Sequence, residues 1–230
     1  MFAWLPPSNI AFLYFNMLRD TFQCARIVFS EYTEESVMKD LEKKILSAGQ
    51  VLPGNILLVD SFLNQGLDVE LIDAMAETWY RYFESEPITK VMTIEASGIA
   101  IAALVAKKFS VPALFAKKYD TLNLTSDRHQ SSVYSYTKKK EYTIAVSKRL
   151  LTEEDHVLIV DDFLANGCAL RGLIDLVESA NASIGGVGIA IEKSFQKGPE
   201  LIRATGVNLC SLAKIASLED GQIEFAEADA

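Results

Sequence analysis

Residues 156–162, HVLIVDD, constrain the chain more than any other segment. Four apolar residues, Val157 to Val160, run without a polar break into two adjacent aspartates, Asp161 and Asp162. A strand with one wet face alternates apolar and polar residues, whereas a strand in the middle of a parallel sheet is covered on both faces and stays apolar throughout. The run therefore predicts a central strand of a parallel sheet, and parallel strands need crossover connections.

The rest of the chain supplies them. Asp68 is placed to cap a helix whose face is Val69, Ile72, Met75, Ala76, Trp79 and Phe83, at helical spacing. Lys90 to Glu95 reads as a strand, Gly98 to Lys108 as an apolar helix, and VPALFAKK (111–118) as a second strand. A polar loop is expected from about Tyr119 to Ser132, followed by a hairpin of VYSYT and YTIAVS around KKKE. Leu170 to Ser179 is helical and IGGVGIAIEK (184–193) is strand again. The repeating strand-helix-strand order implies an α/β fold, an open and mostly parallel sheet flanked by helices on both faces. In such sheets ligands sit beyond the carboxyl ends of the strands.

Composition narrows the class. With 230 residues, half of them apolar, and only 12 glycines and 6 prolines, the chain has the material for one globular domain and is not of disordered or low-complexity type. A formal charge of −9 argues against a surface built to neutralise a phosphate backbone, so no nucleic-acid partner is expected. Cys24, Cys168 and Cys210 match neither a zinc site nor a redox pair, and a reducing compartment fits them best. The longest apolar stretch near the start, Ile10 to Leu18, is broken by Asn16 and is far short of the ~20 residues a membrane span needs. The first residues also lack a basic segment and a small-residue cleavage site, so neither membrane insertion nor export is expected.

Residues 1–37 differ in character from the rest of the chain: they are aromatic-rich, contain Pro6 and Pro7, and show no clean period. Met38 opens MKDLEKKILSAG, with Leu41, Ile45 and Ala48 on one helical face and Gly49 as the stop. Residues 1–37 are accordingly read as a start-site extension outside the fold, with 38–230 as the working domain. The alternative is an accessory helix packed on that domain.

Chemistry concentrates in VLIVDDFLANGCALRGLIDL (157–176). Two acids at a strand end cannot both be packed in a core, because an unpaired buried carboxylate is too costly to keep ionised. A polyhydroxylated sugar would suit them, since ionised carboxylates only accept and hydroxyls donate. Ala165 to Ala169 then form a tight turn of small residues opening a helix, whose free N–H groups and positive dipole end make a phosphate seat. Ribose phosphate is the inference. The plain alternative is that the acids cap a helix and the turn only connects.

This segment resembles the phosphoribosyl diphosphate (PRPP) signature of the type I phosphoribosyltransferases, although ANGCA lacks the threonines of the commonest form and leaves the phosphate to backbone N–H groups. VDSFLNQ (59–65), TIEASGIA (93–100), FAKK (115–118), SVYSYT (132–137), DDFLANG and IEKSFQ (191–196) together are similar to the xanthine-specific branch of that family. The resemblance runs from about Met38 to Phe225 and does not cover residues 1–37.

The resemblance implies roles. Asp161 and Asp162 would hold the ribose hydroxyls as the catalytic pair, and Ala165, Asn166, Gly167, Cys168 and Ala169 would cradle the 5′-phosphate. Glu95, Ala96, Ser97 and Gly98 would form the pyrophosphate loop, although the start of a helix alone also explains a Ser-Gly turn. Lys117, Lys118 and Tyr119 would lead into a flexible loop that closes over PRPP, or be a solvated strand end. Lys193 would donate to the purine O6, with Leu57 and Asn64 contacting the base. Phe195 is a weaker stacking candidate or a core residue. His129 and His156 are read as exposed loop or strand-edge residues, and Cys168 as a small filler.

The implied fold carries a small hood made from the N- and C-terminal segments. The implied reaction joins xanthine to PRPP, with Mg²⁺ on the PRPP oxygens and no direct protein ligand to the metal. A cytoplasmic homodimer is implied too. Two other readings compete: a purine-responsive repressor that binds PRPP without catalysis, and a sister transferase for another base. Thirty-seven residues of low basicity are too few for a winged helix-turn-helix module, which weighs against the repressor.

Overall fold

The computed structural model describes residues 34–119, 126–135 and 140–226. Two compact units are distinguished along the chain, Met1–Ser36 and Val37–Ala230. Of the first, only residues 34–36 are among the described ones, as the start of helix α1, Glu34–Ala48. The question of whether residues 1–37 form an extension or an accessory helix therefore falls mostly on residues outside the description. Helix α1 begins four residues before Met38 and buries Val37 as well as the expected Leu41 and Ile45.

After α1 come a short hairpin, β1 (Gln50–Leu52) and β2 (Ile56–Leu58), and a wide π-helical turn, Asp60–Asn64. Helix α2 (Val69–Tyr82) is next. The Asp68 carboxylate caps it, accepting from the Leu71 amide at 3.2 Å and from the Lys44 ammonium of α1 at 2.7 Å. Ile72, Met75, Ala76, Trp79 and Phe83 are buried as expected, but Val69 is exposed because the first turn extends past the packed face.

Eight strands form the main sheet: β3 (Lys90–Ile94), β4 (Ala113–Tyr119), β5 (Arg128–Ser135), β6 (Lys140–Ser147), β7 (His156–Leu164), β8 (Ser183–Lys193), β9 (Leu209–Ser217) and β10 (Glu224–Phe225). They lie in the order β10-β9-β8-β7-β3-β4-β6-β5. Strands β9, β8, β7, β3 and β4 are mutually parallel, while β10 pairs antiparallel with β9 at one edge and β6 pairs antiparallel with both β4 and the outermost strand β5 at the other. Helices α3 (Gly98–Phe109), α4 (Cys168–Ser179) and α5 (Lys197–Arg203) complete the fold.

The apolar run sits where the sequence puts it, with β7 between β3 and β8. Leu158 and Val160 enter one core layer with α2 and α3, and Val157 and Ile159 enter the other with α4. Trp79 is fully buried, and its indole N–H donates to the Cys210 carbonyl of β9 at 3.3 Å, fixing α2 across the sheet. A buried residue of this size is worth about 3–5 kcal/mol relative to alanine.

Two features depart from the sequence reading. The polar loop expected to reach Ser132 ends earlier, because β5 starts at Arg128 and pairs with β6 from Arg128↔Ser147 to Ser135↔Lys140. An edge strand with one solvated face carries polar residues and so looks like loop in the sequence. Beyond Lys193 the sequence analysis assigns no element, yet α5, β9 and β10 lie there. The expected hood is present: hairpin β1–β2 meets the turn Glu219–Gly221 after β9. Among the described residues no helix is long and apolar enough to cross a membrane.

Candidate active site

The carboxyl ends of β3, β7 and β8 bring most of the candidate residues to one edge. Strand β7 continues through the acids to Leu164, so Asp161 and Asp162 are not at the strand end, as expected, but within a paired strand. Both are buried, with 4% and 8% of their surface exposed, which corrects the expectation that two such acids could not be packed. The energetic cost is visible in the ionisation of Asp161. Burial, and then the neighbouring Asp162, pushes the Asp161 carboxyl well above the usual carboxylate range, and the Asp162 backbone amide and the Lys118 ammonium do not offset this. The Asp162 amide donates to Asp161 Oδ1 at 3.0 Å.

Past β7, the turn 165–167 leads into α4 at Cys168, with Gly167 in the left-handed region (φ 79°) and no side chain capping the helix. Its first N–H groups are therefore left to backbone, solvent or a ligand. This turn has a support that the sequence analysis missed. The Gly198 amide of α5 donates to the Ala165 carbonyl at 3.1 Å, and a Cβ on Gly198 would collide with that carbonyl and stand 2.6 Å from the Gly167 nitrogen. The local signal was KGP at 197–199, a glycine-proline pair at the start of a short helix. A cleft of about 510 Å³ opens on the flank of the turn beside Asn166, Gly167 and Cys168, but neither acid nor Lys193 lines it.

The second turn, 95–98, joins β3 to α3, and its Glu95–Ala96 peptide is cis. Glu95 Oε1 accepts from the Lys118 amide at 2.6 Å, tying the turn to the end of β4. Lys117, Lys118 and Tyr119 belong to β4 and pair with Ala145, Ile144 and Thr143 of β6, so they are strand rather than loop. Residues 120–125 of the expected flexible loop lie outside the described residues. The Lys118 ammonium stands 5.6 Å from the centre of the Tyr142 ring, and the Tyr119 hydroxyl is hydrogen-bonded by the Arg128 guanidinium.

Lys193 ends β8 beside the acids' strand and is 8% exposed. Its ammonium donates to the Asn55 carbonyl at the tip of hairpin β1–β2 (2.9 Å) and lies 5.6 Å from the centre of the Phe163 ring. Burial pushes its pKa down from the ordinary lysine value. Leu57 is buried in β2, and the amide oxygen of Asn64, at the end of the π-helical turn, is buried without a hydrogen-bond partner. Phe195 is 38% exposed, which removes the core alternative for it.

Glu192, next to Lys193 and 1% exposed, is a further residue the sequence analysis passed over. It accepts from Ser194, from Ser211 at 2.6 Å and from Arg203 at 2.8 and 3.0 Å, so that β8, β9 and α5 are joined beneath the lysine. The histidines are half-buried and bonded rather than exposed. His129 lies between the Leu151 carbonyl and Ser179, and His156, at the amino end of β7, lies between Ser183 and Glu86. Cys168 is half-buried and Cys210 buried, and neither forms a disulfide among the described residues.

The model of the phosphoribosyl transferase domain family matches residues 50–216. The chain belongs to this family. The phosphoribosyltransferase is 52% identical over 191 residues to the xanthine phosphoribosyltransferase of Bifidobacterium adolescentis, covering 82% of this chain and 99% of that one. It is 50% identical over 190 residues to the xanthine phosphoribosyltransferase of Ruminiclostridium cellulolyticum, covering 83% and 100%. Among solved structures, the Giardia lamblia adenine phosphoribosyltransferase in complex with 9-deazaadenine superposes with a TM-score of 0.65 at 26% identity, covering 77% of this chain and 97% of that one. The adenine phosphoribosyltransferase of Rhodothermus marinus, at 22% identity and TM-score 0.64 over 78% and 99%, shares the fold.

Proposed function

We propose that this phosphoribosyltransferase joins xanthine to PRPP, giving xanthosine 5′-monophosphate and pyrophosphate in purine salvage. The observation that carries the reading is an identity of 50–52% across essentially the whole length of relatives named for that activity. The same relatives weigh against a non-catalytic repressor.

The chemistry is a displacement at ribose C1: the bond to pyrophosphate breaks, a bond to the purine N9 forms, and N9 gives up its proton. C1 becomes cationic as several negative charges depart. In this reading Asp161 and Asp162 accept from the ribose hydroxyls, which fixes the sugar. The backbone of Ala165 to Ala169 and the α4 N-terminus hold the 5′-phosphate. Glu95 to Gly98 offer backbone N–H groups to the pyrophosphate. Lys117, Lys118 and Tyr119 lead into the segment that covers it. Lys193 donates to the 6-oxo group, while Leu57 and Asn64 line the base.

No covalent nucleophile is needed. Positioning is worth up to ~7–11 kcal/mol, and fixed dipoles aimed at the developing charges add to it. In this reading Mg²⁺ would be held through the PRPP oxygens with no direct protein ligand, and the carboxylate pair, engaged with the ribose hydroxyls, leaves those oxygens to it. Bound there, the ion would neutralise the leaving pyrophosphate. The reading includes a cytoplasmic homodimer, carried over from the resemblance.

Pyrophosphate release with xanthine, guanine, hypoxanthine and adenine, each with PRPP and Mg²⁺, is expected to give the highest kcat/KM on xanthine and the lowest on adenine. Adenine as the best base would overturn the assignment. The reading also leaves residues 1–37, apart from the buried Val37, outside the working domain. A chain starting at Met38 is expected to keep its kcat and both KM values. It should melt lower, because it lacks buried Val37, a side chain worth about 1.5–3 kcal/mol. A tenfold loss of kcat/KM in the soluble shortened chain would make the preceding residues part of the enzyme.

A further inference from the structure

Thr93 lies in β3, two residues before the turn 95–98, and is wholly buried, yet its hydroxyl has no hydrogen-bond partner. Valine has the same shape and β propensity without the polar group, so a buried hydroxyl left unpaired here costs stability that packing does not recover. Two neighbours show what it faces. Gly98, the first residue of α3, stands so close that a Cβ there would collide with Thr93 Oγ1, and the same Cβ would reach Asp161 Oδ1 at 3.0 Å. One glycine thus separates an idle donor on β3 from a buried carboxylate on β7, at the point where the turn enters its helix.

We propose that Thr93 is a positioning residue for the acid pair: its hydroxyl donates to Asp161 Oδ1 when that carboxylate carries its charge against substrate, tying the ribose acids to the turn that faces pyrophosphate. The inference rests on the proposed function of Asp161. An ionised carboxylate accepts several hydrogen bonds, and Oδ1 has one donor here, the Asp162 amide. The two oxygens are not hydrogen-bonded here, so the bond forms when the Thr93 side chain or the Asp161 carboxylate turns about its own side-chain dihedrals, which leaves the strands in place. The charged and titratable groups that act on Asp161 are Asp162 beside it and Lys118 of β4, with Tyr142 of β6 and Cys168 of α4 in the same neighbourhood. Lys118 is the cation among them, and its amide already holds Glu95 of the same turn.

The test compares Thr93→Val, which keeps the shape and loses the hydroxyl, with Thr93→Ser, which keeps the hydroxyl and loses the methyl. Thr93→Val is expected to melt no lower than the wild type, yet to lose at least tenfold in kcat/KM for PRPP. Its acid limb should move to higher pH, because the ionised form of Asp161 has lost a donor. Thr93→Ser is expected within threefold of the wild type, with the limb unmoved. Wild-type kinetics and pH profile in Thr93→Val, or an equal loss in both variants, would overturn the proposal. Asp161→Asn serves as the control: full turnover in that variant removes the ribose assignment itself, whereas an impaired Asp161→Asn beside a normal Thr93→Val removes only the role of Thr93.

Discussion

The Asp161→Asn, Asp162→Asn double variant is expected to fold, to melt above the wild type at pH 7.5, and to lose at least about 10²–10³-fold in kcat. The two effects have one cause. Burial and the Asp162 charge raise the Asp161 pKa in the folded protein above its unfolded value. A carboxyl raised in this way favours folding fully only below the unfolded pKa, and that contribution is lost as pH rises through the folded one. At neutral pH the ligand-free wild type therefore carries a destabilising acid that asparagine removes. The gain in Tm should shrink as pH falls and vanish below the ordinary carboxylate range. Each kcal/mol corresponds to ~2–4 °C in a domain of this size. Calorimetry at pH 3.5 and 7.5, with steady-state turnover, reads both arms. A folded double variant with wild-type turnover would remove the ribose role.

The second large effect concerns Lys193. A 6-oxo purine offers an acceptor to its ammonium, while the 6-amino group of adenine would set donor against donor. That mismatch costs about 1–3 kcal/mol or more, tenfold to several-hundredfold in kcat/KM. Lys193→Ala should therefore depress xanthine, guanine and hypoxanthine alike, and it also frees the hairpin tip, since the Asn55 carbonyl loses its donor. Asn64→Ala should narrow only the gap between xanthine and hypoxanthine, because the Asn64 amide can meet a 2-oxo group. Burial lowers the Lys193 pKa, so wild-type kcat/KM should fall at a pH below the ordinary lysine range as the ammonium loses its proton. A xanthine kcat/KM within twofold of wild type in Lys193→Ala would end the base-pocket assignment.

Much of the site was legible because its signals are local. The apolar run from Val157 to Val160 reports two-sided burial directly, and β7 lies between two parallel neighbours. The helix that Asp68 caps is legible from spacing and a capping residue, and α2 begins at the next residue. The acids, the small-residue turn and the helix after it are contiguous in the chain, so their order along the strand, turn and helix needs no tertiary knowledge. Residues 128–132 were not legible as strand, because an edge strand with a wet face has the composition of a loop.

The sequence by itself determined the parallel α/β sheet, the edge at which the candidate site residues gather and the residue types there, since periodicity and contiguous motifs depend only on near neighbours. Only the tertiary structure decided the environment of those residues. Asp161 and Asp162 became buried because β8 and β3 flank β7. The turn at Ala165 to Gly167 is held by Gly198, more than thirty residues away, and Lys193 is held by Asn55, 138 residues away. Glu192 found Arg203 and Ser211 only through the pairing of β8 with β9. Ionisation, and the distances that set it, come from what the folded chain excludes from water, and that is a property of contacts between segments distant along the chain.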